Sequence, residues 1–359
     1  MKFEQFLNNL ISFDTVSTNS NLALISFVEY NLKKMGFTTI QQKIGTKANL
    51  FAFKQSKERI IFAGHTDTVP ASGDWTSKPF DLQCKSDKYY GLGVVDMKGF
   101  LSFALDFAAN NLDNQKLAFL LTFDEETDFG GAKNLPNDWI CPSDTVILGE
   151  PTECKIMVGN KGLLQYSINF TGRGGHGSEP QSGISAILES AKFLNYFESN
   201  FDMFLVESDN TFENPSATFN FGKISGGDAV NKIPEKLSLD LDIRILSQKQ
   251  QGLIEKLYKN FQSKAKIDIE LSTSVPPFQS ESKLIDKIRQ LNLPISPKAS
   301  YTTEASYFGK FTEKVLIFGP GSVKQAHTTD EYLDKSDLLN YKNVFSKLLE
   351  NIGTEARTN

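Results

Sequence analysis

Histidine and cysteine are scarce in this chain of 359 residues, which contains three of each. The cysteines, Cys84, Cys141 and Cys154, are odd in number and show no Cys-x-x-Cys spacing. Unpaired thiols of this kind are typical of a reducing cytoplasm, and we expect them to be buried structural residues.

Long apolar runs and long basic runs are also missing. No stretch of about eighteen consecutive apolar residues occurs, so we expect no membrane span. Residues 1–13 are too polar for a signal peptide. The net charge of −5 and the pI near 5.5 argue against a nucleic-acid partner. Together these absences predict a cytoplasmic protein that binds neither nucleic acid nor membrane.

What is present is an ordinary globular composition, with 40% apolar and 23% charged residues. Apolar runs at residues 59–63, 117–123, 145–148 and 314–318 are typical of parallel strands that are covered on both faces. Helical patterns lie between these strands. The alternation predicts an α/β fold, in which a catalytic domain contains a mostly parallel mixed sheet flanked by helices.

The middle of the chain has a different pattern. Residues 235–244 alternate strictly between apolar and polar side chains, which is typical of a sheet with one solvated face. With its neighbours this segment completes a β-α-β-β-α-β order, the order of a ferredoxin-like α+β domain. We therefore predict that residues 162–272 form an inserted domain, and that residues 1–161 and 273–359 form the catalytic domain.

Acidic or histidine side chains follow the apolar segments. They are His65, Asp96, Glu125 with Glu126, Glu150 and, within a short loop, His327. Because parallel strands place their carboxyl ends at one edge of a sheet, we expect these side chains to converge. Asp67 lies two residues beyond His65 in extended chain. Its carboxylate is therefore expected to contact one imidazole nitrogen while the other nitrogen faces a metal.

The predicted ligands are imidazoles and carboxylates without thiolates, a set that suits zinc, cobalt or manganese in a catalytic site. Charge favours two ions over one. Two divalent cations are balanced by Asp96, Glu126 and Glu150 together with a hydroxide, whereas one cation would leave the carboxylates in excess. A pair of cations about 3.5–4 Å apart can polarise a carbonyl and activate a water.

The motifs around these residues resemble those of the dinuclear zinc aminoacylase and desuccinylase metallopeptidase family over nearly the whole chain. They are Gly64–Pro70, Asp96–Gly99, Asp124–Glu126, Gly149–Thr152, Gly175–His176, Gly226–Asn231, Asp242–Arg244, Gly319–Ser322 and His327–Glu331. The resemblance implies the predicted catalytic domain, with the inserted domain serving as a lid and dimerisation domain.

The resemblance also implies which residues hold the two cations: His65 with Glu150, Glu126 with His327, and Asp96 as the bridge between them. Glu125 would be the general base that takes a proton from the attacking water and passes it to the leaving amine. The peptide bond between Asp96 and Met97 would be cis.

For the substrate, the resemblance implies a homodimer in which His176 reaches the site of the partner subunit and stabilises the tetrahedral oxyanion. A histidine in such a glycine-rich loop is otherwise a solvent-exposed loop residue. Arg244 would bind the substrate α-carboxylate, with Asn231 near the scissile carbonyl, although an arginine on a polar strand face is equally expected as a solvated charge. Glu304 and Gly321 are also assigned to substrate binding.

We expect hydrolysis of the amide bond of an N-acyl amino acid. The stretches Tyr90–Gly93, Thr303–Ala305 and Gly319–His327 favour N2-acetyl-L-ornithine, cleaved to L-ornithine and acetate in arginine biosynthesis. Glu304 is expected to bind the substrate's side-chain amine. Acetylcitrulline and succinyl-diaminopimelate remain alternative substrates. A catalytically silent ligand-binding homologue is a hypothesis of another class, and the presence of Glu125 argues against it.

Overall fold

The computed structural model describes residues 2–352 and divides the chain into two compact units. The second unit comprises Asn160–Phe278 and Pro297–Thr302, and the other described residues form the first unit. The assignment of a catalytic domain and of a lid domain with boundaries at 162–272 stays a prediction. Met1 and residues 353–359, which we included in the catalytic domain, lie outside the described residues.

Helices and strands alternate along much of the described chain. The α-helices are Lys2–Ser12 (α1), Leu22–Lys34 (α2), Gly99–Asn110 (α3), Gly130–Lys133 (α4), Ala186–Asn200 (α5), Lys249–Asn260 (α6), Ser282–Gln290 (α7), Ala305–Phe308 (α8) and Lys335–Ile352 (α9). In the part of the chain that the structure describes, no helix combines the length and the apolar character that a membrane crossing needs.

The strands are mostly short. They are Thr38–Ile44 (β1), Lys47–Phe53 (β2), Ile60–His65 (β3), Gln83–Lys85 (β4), Lys88–Tyr90 (β5), Leu117–Thr122 (β6), Thr145–Pro151 (β7), Gly159–Asn160 (β8), Gly162–Thr171 (β9), Gly175–His176 (β10), Thr218–Gly226 (β11), Lys232–Ile233 (β12), Lys236–Ile245 (β13), Lys266–Val275 (β14), Phe278–Gln279 (β15), Val315–Gly319 (β16) and Tyr332–Asp334 (β17).

A six-stranded sheet forms the centre of the first unit, in the order β1-β2-β6-β3-β7-β16. β6, β3, β7 and β16 are parallel to one another, and β2 joins β6 in the antiparallel sense. Every residue of these four parallel strands is buried, which explains their continuous apolar sequences. The predicted α/β class with a mostly parallel mixed sheet is confirmed.

Aromatic side chains fill the space between this sheet and its helices. Phe62 of β3 lies 5.5 Å, centroid to centroid, from Phe345 of α9, and Phe103 of α3 packs edge-on against Phe345 at 5.0 Å. Such tilted and edge-on pairs add about 0.5–1.5 kcal/mol each to the burial of the rings. The packing fixes the strands, and therefore the residues that follow them.

Register aligns the carboxyl ends of the parallel strands. His65, the last residue of β3, pairs with Thr122, the last residue of β6. On the other side of β3, Ala63 pairs with Leu148, so Glu150 of β7 lies at the same edge. This is the edge at which parallel α/β sheets carry their ligands.

The second unit contains a four-stranded antiparallel sheet in the order β11-β13-β9-β14. One face of the sheet is covered by α5 and α6, whose apolar residues join those of the strands in a single core. Burial alternates residue by residue along β13, as its sequence predicts. The strands and helices follow the predicted β-α-β-β-α-β order.

The cysteines differ from the expectation of three buried thiols. All are free, but Cys84 is exposed, Cys141 is partly buried, and only Cys154 is buried. Cys84 lies in the short edge strand β4, which has no buried residue and in which Lys85 is exposed as well.

Candidate active site

The parallel strands of the first unit deliver the predicted ligands to one edge. His65 ends β3, Glu125 and Glu126 follow β6, Glu150 lies in β7, and His327 follows β16. Asp96 is different, and its prediction as a residue at the end of a strand of this sheet was wrong. It lies in an irregular turn over Val94–Lys98, directly before α3, with backbone angles that are not helical.

Asp96 lies at the centre of the cluster. Its Oδ1 is 2.9 Å from His65 Nε2, and its Oδ2 is 3.5 Å from His327 Nε2. Burial raises the pKa of Asp96, but the hydrogen bonds of His327 and His65 outweigh it and hold the pKa below its usual value. The Asp96–Met97 peptide bond is cis, as predicted.

Glu126 completes a group of possible metal ligands. Its Oε1 is 3.0 Å from His327 Nε2. One donor atom from each of His65, Asp96 and Glu126 lies within 4.8 Å of the others. Neighbouring Asp96 and Glu126 raise the pKa of His327 to about 10. Two imidazoles and two carboxylates in this arrangement are donors that fit a borderline divalent cation.

Glu150 and Glu125 add negative charge to the same edge. Burial raises the pKa of Glu150 well above its usual range, and nearby Asp96 raises it further. Burial and the carboxylate of Glu150 have the same effect on the pKa of Glu125. The Oε1 atom of Glu150 is buried without a hydrogen-bond partner. Because unpaired buried carboxylates are costly, this cluster fits the binding of cations.

Asp67 contacts His65 differently from the prediction. The Nδ1 atom of His65 is 2.9 Å from the main-chain oxygen of Asp67, and the carboxylate is 3.6 Å away. The carboxylate instead accepts hydrogen bonds from Ser17 Oγ at 2.7 Å and from the N–H groups of Glu125 and Glu126 at 3.2 and 3.3 Å. Asp67 therefore holds the turn that carries both glutamates.

Glu304 is fully buried in the first unit, at the start of α8. Both of its carboxylate oxygens are buried without a hydrogen-bond partner. Burial raises its pKa to about 7, while the charge of His65 lowers it. The side chain is near the histidine–carboxylate cluster, yet it has no surface that a substrate touches in this conformation.

Gly321 lies in the turn between β16 and His327 and adopts a left-handed backbone with φ of 79°. Its carbonyl accepts a hydrogen bond of 2.7 Å from the N–H of Glu153. A Cβ atom at this position would lie 3.1–3.2 Å from side-chain carbons of Leu333 and Val95, which favours glycine.

Three predicted site residues lie in the second unit. His176 is exposed, pairs with Lys232 across β10 and β12, and contacts Ser178 Oγ at 2.7 Å. The carbonyl of Asn231 accepts a hydrogen bond from the N–H of Gly177 at 2.7 Å, so Asn231 adjoins the His176 turn.

Arg244 lies near the end of β13 in the second unit and is about a quarter exposed. Its Nε and Nη2 atoms donate hydrogen bonds to the two carboxylate oxygens of Asp242 at 2.8 and 3.1 Å. Its Nη1 atom donates to Thr302 Oγ1 at 3.2 Å. This forked pair orients the guanidinium on the polar face of the strand.

Sequence reasoning missed the structural contribution of Ser17 and Glu331. Ser17 donates to Asp67, as described above. Glu331 is buried and accepts hydrogen bonds from three main-chain N–H groups of the segment that contains Asp96. The only available signal was the position of Glu331, four residues beyond His327 in the motif His327–Glu331.

The fold and the cluster define a metal-dependent hydrolase, with imidazole and carboxylate donors collected at the carboxyl edge of a parallel sheet. Residues 61–351 match the profile of peptidase family M20/M25/M40, and the chain belongs to this family. The family implies divalent metal ions as the cofactor, and the group of His65, Asp96 and Glu126 is a candidate site for them.

Curated relatives match nearly the full chain. The chain is 35% identical to the acetylornithine deacetylase of Buchnera aphidicola subsp. Schizaphis graminum, with 97% of each chain covered. It is 33% identical to the acetylornithine deacetylase of Proteus mirabilis, covering 94% of this chain and 92% of the relative.

Solved structures share the fold at lower identity. Aminopeptidase PepT from Bacillus cereus superposes with a TM-score of 0.79 at 16% identity, covering 98% of both chains. A tripeptidase from Staphylococcus aureus gives a TM-score of 0.78 at 20% identity, covering 97% of both chains.

Proposed function

We propose that this protein hydrolyses the amide bond of N2-acetyl-L-ornithine to give L-ornithine and acetate, in the arginine biosynthesis of the cytoplasm. The observation that carries the proposal is the position of Asp96 between His65 and His327. The similarity to relatives named acetylornithine deacetylase over nearly the full chain supports the substrate.

The donor set supports two divalent cations, zinc or cobalt. We assign one cation to His65 and Glu150, the other to Glu126 and His327, and the bridging position to Asp96. The buried acidic charge of this cluster and the unpartnered oxygen of Glu150 fit that assignment. When bound, such cations lower the pKa of a water and polarise the acyl carbonyl.

Glu125 moves the proton in this proposal. Its carboxylate takes a proton from the attacking water as the new C–O bond forms at the acyl carbon. It then gives that proton to the amine nitrogen as the C–N bond breaks, so that acetate and a free amine leave. The place of Glu125 beside the assigned ligand Glu126, in the turn that Asp67 holds, supports this role.

The remaining polar residues are proposed to bind the substrate. Arg244 is assigned to the α-carboxylate. Asp242 holds its guanidinium in a fixed orientation, which supports this role. Asn231 is assigned to the acyl carbonyl, and Gly321 to the main-chain wall of the substrate site.

Metal analysis combined with a substrate panel tests this function. The purified protein is incubated with zinc or cobalt, its metal content is measured, and it is assayed on acetylornithine, acetylcitrulline and succinyl-diaminopimelate. We expect bound divalent metal and the highest kcat/KM on acetylornithine. Bound metal with a higher kcat/KM on another substrate would change the proposed substrate but keep the proposed reaction, amide hydrolysis. Absence of both metal and turnover would identify a catalytically silent homologue.

Replacing Glu304 with glutamine is expected to lower kcat/KM on acetylornithine by about 10- to 100-fold. A buried carboxylate that pairs with the δ-ammonium contributes about 1.5–3 kcal/mol, and glutamine removes its charge. Because Glu304 is fully buried, the approach of the amine requires movement of the surrounding loop.

N2-acetyl-L-norvaline, which has no side-chain amine, is the control substrate for Glu304→Gln. The two proteins should cleave it equally well. An unchanged kcat/KM on acetylornithine would show that Glu304 does not recognise the amine.

We further propose that the protein is a homodimer in which His176 acts in the partner subunit's site. His176 is exposed on the short strand pair β10–β12 of the second unit, which supports this assignment. His176→Ala is expected to lower kcat by about 10²- to 10³-fold, as the loss of an oxyanion donor does.

Complementation tests the action of His176 in trans. His176→Ala and Glu125→Gln proteins are mixed, unfolded and refolded together. Half of randomly formed dimers are mixed, and one of their two sites contains both intact residues, so about a quarter of the wild-type activity should return. If the mixture is no more active than the separate variants, His176 does not act across the dimer.

A further inference from the structure

Glu331 is a buried carboxyl group that none of the preceding steps uses, and it is only 1% exposed. Its Oε2 accepts a hydrogen bond of 2.8 Å from the N–H of Gly93. Its Oε1 accepts bonds of 2.7 and 3.2 Å from the N–H groups of Val95 and Asp96. One side chain therefore pairs three main-chain donors of a single short segment.

This segment needs an external acceptor because its backbone is irregular. Gly93 has a left-handed φ of 77°, and Asp96 has φ −123° and ψ 88°. These angles prevent a regular helical hydrogen-bond ladder, and buried N–H groups without a partner destabilise the folded protein. A Cβ atom at Gly93 would lie 2.7 Å from Thr68 Cγ2, so the segment is also closely packed.

The main chain of Glu331 makes a second connection to the same region. Its carbonyl accepts a hydrogen bond of 3.1 Å from the N–H of Gly91. The next residue, Tyr332, begins β17 and pairs with Tyr90 of β5. Side chain and main chain together attach the loop that carries His327 to the segment that carries Asp96.

We propose that Glu331 is a positioning residue that holds the segments of Asp96 and His327 in the arrangement required for cation binding. This inference rests on the proposed function, because it takes Asp96 and His327 as metal ligands. Glu331 does not touch the cations or the substrate. It fixes the main chain from which one ligand projects and lies four residues from the other. Groups that orient metal ligands in this way typically contribute about 10- to 100-fold to metal affinity.

Asp144 provides a matched control elsewhere in the first unit. It is fully buried and accepts hydrogen bonds from the N–H groups of Arg59 and Cys141 at 2.9 and 2.7 Å, as well as from the Arg59 guanidinium. It directly precedes β7, at the amino edge of the sheet. Loss of Asp144 therefore removes the same kind of contact at the opposite end of β3 and β7 from His65 and Glu150.

The experiment compares wild type, Glu331→Gln, Glu331→Ala and Asp144→Asn. Zinc affinity is measured by competition with a chromophoric chelator, cobalt geometry by the visible absorption spectrum, and stability by thermal unfolding of the metal-free proteins. Glutamine keeps one oxygen for Val95 and Asp96 but presents an NH2 group to the N–H of Gly93. We expect about tenfold weaker zinc binding for Glu331→Gln and about 100-fold for Glu331→Ala.

The cobalt spectrum of the Glu331 variants should also differ from that of wild type. Asp144→Asn should lower the unfolding temperature but leave zinc affinity within about twofold and the cobalt spectrum unchanged. If Glu331→Ala does not fold, Glu331→Gln alone decides the result.

Wild-type affinity and spectrum in Glu331→Gln would overturn the inference. So would a loss of affinity in Asp144→Asn equal to that of the Glu331 variants, since destabilisation would then explain both. A wild-type protein that binds no divalent metal would overturn the proposed function and, with it, this inference. Metal binding by the wild-type protein with unchanged affinity in Glu331→Gln would overturn this inference alone.

Discussion

Glu125→Gln is expected to lower kcat on acetylornithine by about 10²- to 10⁴-fold while the bound metal is retained. Glutamine has nearly the shape of glutamate but cannot accept the proton of the attacking water. The fold of the turn should persist, because the contact with Asp67 is made by the main-chain N–H of Glu125. Steady-state kinetics and metal content, measured on the same preparation, check both parts.

The neighbouring residue is the control for Glu125. Glu126 contacts His327 at 3.0 Å and is assigned as a ligand, so Glu126→Gln should lose metal as well as activity. If Glu125→Gln retains metal without turnover and Glu126→Gln loses metal, Glu125 acts as the base and Glu126 as a ligand. Substantial turnover in Glu125→Gln would remove Glu125 from the mechanism.

Asp96→Ala is expected to abolish activity and to lower the affinity for both cations. The loss of metal affinity should exceed the factor of about 10–100 that follows from substituting residues which only hydrogen-bond to the ligands. The reason is that Asp96 itself lies between both histidines. Metal stoichiometry by mass spectrometry, together with turnover at saturating zinc, provides the measurement.

Asp113→Ala removes an exposed carboxylate of the same unit and should behave as wild type in both assays. Full metal content in Asp96→Ala would contradict a bridging position. Loss of one equivalent alone would place Asp96 on one cation, with the other held by the remaining donors.

Much of this architecture could be predicted from local sequence patterns. The apolar runs of β3, β6, β7 and β16 identify strands that are buried on both faces, and the polar residues after them identify the edge at which ligands meet. The alternation in β13 likewise identifies a sheet with one solvated face.

The features that were not predicted depend on contacts between distant parts of the chain. Glu331 bonds to Gly93 across 238 residues, and no local pattern reports such a contact. The prediction that Asp96 ends a strand was wrong because a short apolar segment has no periodicity that distinguishes a strand from an irregular turn. The carboxylate of Asp67 faces Glu125 and Glu126, because the N–H groups of these two residues, which follow β6, need an acceptor.

The order of the strands has a consequence for biosynthesis. β16 is one of the two edge strands of the central sheet and is followed by His327, so both leave the ribosome after all of Asn160–Phe278 has been made. Since segments fold roughly in the order of their synthesis, the second unit can be complete while the central sheet still lacks its last strand and one histidine. Under the proposed ligand assignment, the site of the second cation, which needs His327, is therefore completed only after the second unit has been made.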